Sequence, residues 1–240
     1  MMLLSHQNEL HDGKAGEYLR DLIYGAIDGT VTTFAVVAGV AGAALSPAIV
    51  LILGFANLFA DGFSMAISNF LSTRAEKEYI ERERARENWE VDNMPDAERK
   101  EVRDILEQKG FAPDKLDAAV AVITSNKTHW VDMMMSDELG LGSIKTDPKK
   151  HAFATFVAFV SVGVVPLLAY ILSYFFTYFN QHAFVISIGL TSVTFFAVGA
   201  AKTHITKKSA IVGGLETLFV GGAAALVAYY VGVFLKQVVG

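Results

Sequence analysis

Two long stretches of the chain, Asp21 to Thr73 and Ala152 to Ala201, contain no lysine or arginine, while the stretch between them is crowded with charge. A water-soluble domain spreads charged residues over its whole surface, so segregation on this scale restricts the fold more than any other feature. With 52% hydrophobic and 19% charged residues, the 240-residue chain lacks the polar surface that a globular domain of its length needs. A bilayer imposes this pattern.

A helix that crosses the hydrocarbon needs about 20 mostly apolar residues. Five stretches meet that length: Leu22–Leu45, Ala48–Leu71, Ala152–Phe176, Ala183–Ala201 and Ala210–Leu235. Transmembrane strands are shorter and alternate in polarity, whereas these runs are apolar on every face and rich in Ala, Gly and Val. The expected fold is therefore all-α, an integral membrane protein with five transmembrane helices.

Basic residues orient the spans. Arg20 precedes the first, many Lys and Arg lie between the second and third, and Lys202, Lys207 and Lys208 lie between the fourth and fifth. The opposite connections, at Ser46-Pro47 and Asn180-Gln181-His182, carry none. The N-terminus is expected in the cytosol and the C-terminus outside or in a lumen. Residues 1–19 form an N-terminal tail without the apolar core of a cleavable signal peptide, so the first span serves as the insertion signal.

Residues 20–72 hold the first two spans and 151–240 the last three. Between them, 73–150 reads as a small helical cytosolic domain that binds metal. Arg74 to Trp89 lacks Gly and Pro and continues the second span without a breaker. Pro95 marks a turn, and Ala97–Gln108, Leu116–Ser125 and Trp130–Leu139 read as further helices.

A net charge of −5 argues against nucleic acid as a partner and suits cations. Without cysteine there is no thiolate ligand, which leaves carboxylate, thioether, imidazole and backbone oxygen for a metal. No Gly-rich phosphate loop of the Walker type occurs, so transport would draw on a gradient.

Asp28 falls inside the first span and Asp61 inside the second, where an uncompensated carboxylate costs several kcal/mol and marks a functional position by default. Asp21 lies two turns before Asp28 on the same face, and Met65 lies one turn beyond Asp61. Spacing alone does not decide whether Met65 binds or packs. Glu87 and Glu90 are spaced i,i+3, as are Glu98 and Glu101, and a turn at Pro95 could fold the two pairs together. Met133-Met134-Met135-Ser136-Asp137-Glu138 follows, and carboxylate with thioether hints at Fe2+. The same spacings are those of a solvated helix face and of core methionines. Gly39, Ala41, Gly42 and Ala43 allow close helix approach, which suggests a dimer axis along the first helices.

These segments, in this order, resemble the vacuolar iron transporter family from about Leu19 to the last helix. The resemblance rests on Asp28-Gly29-Thr30-Val31, Ser64-Met65-Ala66, the Glu-rich continuation, Trp130-Val131-Asp132-Met133-Met134-Met135, Glu138-Leu139-Gly140-Leu141, Asp147-Pro148 and Glu216-Thr217. It implies a homodimer in a lipid bilayer that exports Fe2+, or another divalent transition metal such as Mn2+, from the cytosol in exchange for protons. It also implies no permanent cofactor and no enzymatic activity. By resemblance, the ligands of the cytosolic domain are Glu87, Glu90, Glu98, Glu101, Met134, Met135 and Glu138, and the path between the subunits is lined by Asp21, Asp28 and Met65. The membrane would be the inner membrane of a prokaryote or a vacuolar-type membrane of a eukaryote.

One position departs from the family. Plant-type iron transporters carry a glutamate where this chain has Asn57, and here the nearest acid is Asp61, one turn closer to Met65. The rival reading is a membrane-anchored ferritin-like iron store or di-iron oxidase. That chemistry uses Glu-x-x-His on paired helices, and the chain has no such motif.

Overall fold

The computed structural model describes residues 13–142, 147–206 and 209–239, and every element among them is helical. The first part of the N-terminal tail, and Lys207 and Lys208, lie outside the described residues. In order, the helices are α1 (Gly13–Gly42), α2 (Pro47–Asn93), α3 (Pro95–Gln108), α4 (Pro113–Thr124), α5 (Lys127–Met133) with a π-helical turn at Met134–Glu138, α6 (Pro148–Gly163), α7 (Val165–Leu172), α8 (Thr177–Thr206) and α9 (Ala210–Val239). The described residues form two compact units, one lying within Met1–Phe70 and Pro148–Gly240 and the other within Leu71–Asp147.

Among the described residues four helices, α1, α2, α8 and α9, are long and apolar enough to cross a membrane, and α6 with α7 makes a fifth if the bent pair is one span. The third span was expected to be one helix, Ala152–Phe176. It bends by 41° between Gly163 and Val165, because Pro166 has no amide hydrogen and restricts the residue before it. The connection expected at Asn180–His182 is also displaced: those residues are helical, and the chain turns at Ser173–Phe176. Large apolar side chains stand exposed along α8 and α9, Val193, Phe219 and Val227 among them. A bilayer solvates such a surface and water does not.

The helix α1 is the hub, packed against α6, α7, α8 and α9. Glycines permit this density. A Cβ at Gly29 would lie 2.4 Å from the Phe159 carbonyl oxygen, and one at Gly232 would lie 2.0 Å from that of Gly39. A Cβ at Gly42 would lie 2.2 Å from the Tyr229 carbonyl oxygen. The small residues near the end of α1 thus serve contacts with α9 of the same chain, and Val37 is fully buried there. They do not by themselves mark a dimer axis.

In the second unit α3 and α4 each start with proline, whose missing amide hydrogen costs nothing at a helix start. The Asn126 side chain caps α5 by accepting from the amides of Thr128 and His129. Val91, Val102, Leu106, Leu116, Trp130, Val131, Met134 and Met135 form the core. Trp130–Leu139, expected as one helix, changes to π-helical winding at Met134 and ends at Gly140 with φ +65°.

Candidate metal sites

The buried stripes of the second unit contain glutamates where apolar residues are the rule. On α2 the stripe reads Glu83, Glu87, Val91, and on α3 it reads Glu98, Val102, Leu106, each at four-residue spacing. Glu83 is paired with Arg82 at 2.8 Å and approached by Arg86. Glu87 and Glu98 differ: each is 3% exposed, and each buries one carboxylate oxygen, Oε2, without a hydrogen-bond partner.

Burial is the main reason both titrate at about 7, well above the ordinary value of 4.5. Surrounding acids add to it. Glu138, Glu90 and Glu101 raise Glu87, while Glu101, Glu87, Glu90 and Glu138 raise Glu98. Glu138 is raised as well, first by desolvation and then by Glu101 and Glu90. The five glutamates singled out in the sequence therefore share one electrostatic field.

They do not form a finished cage, because among the described residues no three acidic or histidine side chains are gathered tightly enough to hold an ion. Glu90 is engaged by Arg86 at 3.1 Å, a partner that sequence reasoning missed. Met134 and Met135 are 0% and 2% exposed in the apolar core. Packing is thus a role they already have. The π-helical turn widens the backbone at Met134–Glu138, an irregularity frequent at functional sites, and leaves Glu138 exposed while both methionines face inward.

In the membrane unit Asp28 and Asp61 are both half-buried. Each aspartate precedes a glycine, and both glycines rest on the same residue. A Cβ at Gly29 would strike the Phe159 backbone, and one at Gly62 would lie 3.0 Å from the Phe159 ring. The residue after each acid thus packs on the same position of α6. Asn57, Asp61 and Met65 are all half-buried on α2, and the Asn57 amide nitrogen is buried without a hydrogen-bond partner.

Asp21 is held apart from this pair. Its Oδ1 accepts from Asn69 Nδ2 at 2.9 Å, and its Oδ2 faces Nδ1 of His151. Neither partner was expected. His151 is the fourth residue of α6 and belongs to no pattern that the sequence displays.

Comparison with known proteins places these features in context. The sequence profile of the VIT family matches residues 19–233. The chain is 37% identical to vacuolar iron transporter 1 of Arabidopsis thaliana over 230 residues, 95% of this chain and 89% of that protein. It is 35% identical to the vacuolar iron transporter of Plasmodium berghei, over 94% of this chain and 85% of that one. It is 35% identical to vacuolar iron transporter 1 of Eucalyptus grandis, over 95% and 90%. These relatives carry the names of transporters rather than of enzymes.

Proposed function

The chain belongs to the VIT family, and from that membership and the geometry above we propose that it carries Fe2+ out of the cytosol in exchange for protons, as a homodimer with five spans per subunit. The reading rests chiefly on the two half-buried acids, Asp28 and Asp61, that stand inside membrane-spanning helices, each just before a glycine packed on Phe159. A half-buried acid inside a membrane-spanning helix is unfavourable without a cation or a proton to compensate it. A second subunit covering this face of α1 removes the lipid contact and supplies a symmetry-related pair.

Transport proceeds in three stages. On the cytosolic side, Glu87, Glu90, Glu98, Glu101 and Glu138 attract Fe2+ and raise its local concentration. Closure around the ion requires Glu90 to leave Arg86, and the sulfurs of Met134 and Met135 join only if the core around them opens. The ion then passes Asp21 and moves to Asp28, Asp61 and Met65. At each carboxylate, metal and proton compete for the same oxygens, so an inward proton gradient drives metal outward.

Mn2+ and other divalent transition metals are secondary substrates on this reading, since oxygen ligands discriminate weakly among them. A ferritin-like store or di-iron oxidase is the weaker reading, because the relatives are named as transporters and the sequence has no Glu-x-x-His motif. Purified protein in liposomes, with an imposed pH gradient, tests the proposal. Fe2+ uptake that depends on the gradient is expected, and uptake indifferent to it overturns the exchange mechanism.

A further inference from the structure

The surroundings of Asp21 form a built site. His151 is 8% exposed, with its ring held between the Tyr18 ring, at a centroid distance of 4.9 Å, and the Asp21 carboxylate. Asn69 Nδ2 donates to Asp21 Oδ1 at 2.9 Å and to Thr155 Oγ1 at 2.7 Å. Thr155 Oγ1 in turn donates to the His151 carbonyl at 3.0 Å. Because the Thr155 hydroxyl gives its one hydrogen to that carbonyl, it can only accept from Asn69. The amide is thereby oriented with its nitrogen towards Asp21, and three helices, α1, α2 and α6, fix one carboxylate.

Each Asp21 oxygen takes one hydrogen bond from this set, while an ionised carboxylate offers about four acceptor positions. Those that remain point in a direction set by His151 and Asn69. A carboxylate free to rotate would lose entropy on taking an ion, and one already held loses little.

We propose that His151 and Asn69 are positioning residues of the transport path, which present Asp21 to the incoming cation in one fixed orientation. The inference rests on the reading of Asp21 as a path residue. It makes Asp21 a stationary hand-off point, unable to follow the ion inward.

The test is Fe2+ uptake by full-length protein in liposomes, with the half-saturating concentration and the maximal rate per folded protein read separately. In His151→Asn the amide nitrogen takes the place of Nδ1, whereas in His151→Gln it reaches past that position and Oδ2 loses its donor. His151→Gln is expected to raise the half-saturating concentration about tenfold, the scale of one charge-assisted hydrogen bond, with the maximal rate within about twofold. His151→Asn should restore it to within about threefold of the starting protein.

Should His151→Gln fail to fold, Asn69→Leu keeps the side-chain shape, deletes the donor to Oδ1 and is read by the same two numbers. Equal half-saturation in the Gln and Asn variants, or a loss confined to the maximal rate, overturns the positioning role. Absence of uptake in the unmodified protein sinks the transport reading itself, a separate result.

Discussion

Gly29 of α1 and Gly62 of α2, each the residue after an intramembrane acid, both rest on Phe159 of α6. Asp61, the acid that this chain carries one turn from Asn57, thus precedes a glycine seated on the same residue as the one that follows Asp28. Removing its charge in Asp61→Asn is expected to abolish gradient-driven Fe2+ uptake while leaving the protein folded. Adding Asn57→Glu, one turn or about 6 Å along the same stripe, should restore part of the uptake. Full uptake by the single variant would show that Asp61 serves folding alone.

The packing of Gly29 on Phe159 is itself testable. Gly29→Ala drives a methyl group into the Phe159 backbone and should destabilise the protein by about 1–3 kcal/mol, the usual cost of overpacking. Gly189→Ala, where a Cβ meets nothing within 4 Å, should be neutral. Thermal unfolding of the two variants in one detergent checks the difference.

Glu87 and Glu98 make the second unit sensitive to pH. Their folded values of about 7 exceed the ordinary 4.5, so the folded state binds more protons than the unfolded state between those limits. Their contribution to stability is therefore full below about pH 4.5 and is lost as pH rises through 7. Both tryptophans, Trp89 and Trp130, lie in this unit and report on it alone. Denaturant midpoints read by tryptophan fluorescence should fall from pH 5 to pH 8 in the metal-free protein, and Glu87→Gln with Glu98→Gln should flatten that fall. Fe2+ at neutral pH should raise the midpoint by replacing the protons, and an unchanged midpoint would deny the cluster a metal.

Packing and ligation by Met134 can be separated. Met134→Ala should cost about 2–5 kcal/mol as a core truncation. Met134→Leu keeps the volume and should cost less than about 1.5 kcal/mol. Calorimetric titration of the Leu variant with Fe2+ then reads the thioether alone. Weaker binding assigns it as a ligand, and unchanged binding leaves it a core residue.

The chain has no cysteine, so single cysteines report the dimer surface cleanly. Ala35 lies on the partly exposed stripe of α1 that includes Tyr24 and Asp28, whereas Val37 is buried within its own bundle. Ala35→Cys should cross-link in lipid and Val37→Cys should not. The reverse outcome would move the subunit contact off this face.

The sequence by itself determined that the chain is helical and enters a membrane, because unbroken apolar runs and the exclusion of Lys and Arg answer to the bilayer locally, span by span. It also marked the acids at 28 and 61 and the paired glutamates, since their cost or their spacing shows along a single helix. Only the tertiary structure decided which groups meet. The use of Gly39 and Gly42 against α9, the burial of Glu87 and Glu98 and the grip of His151 and Asn69 on Asp21 all depend on distances between helices. Those distances are set by how closely backbones can approach. That in turn depends on the residue opposite each glycine, which no reading along one strand of sequence contains.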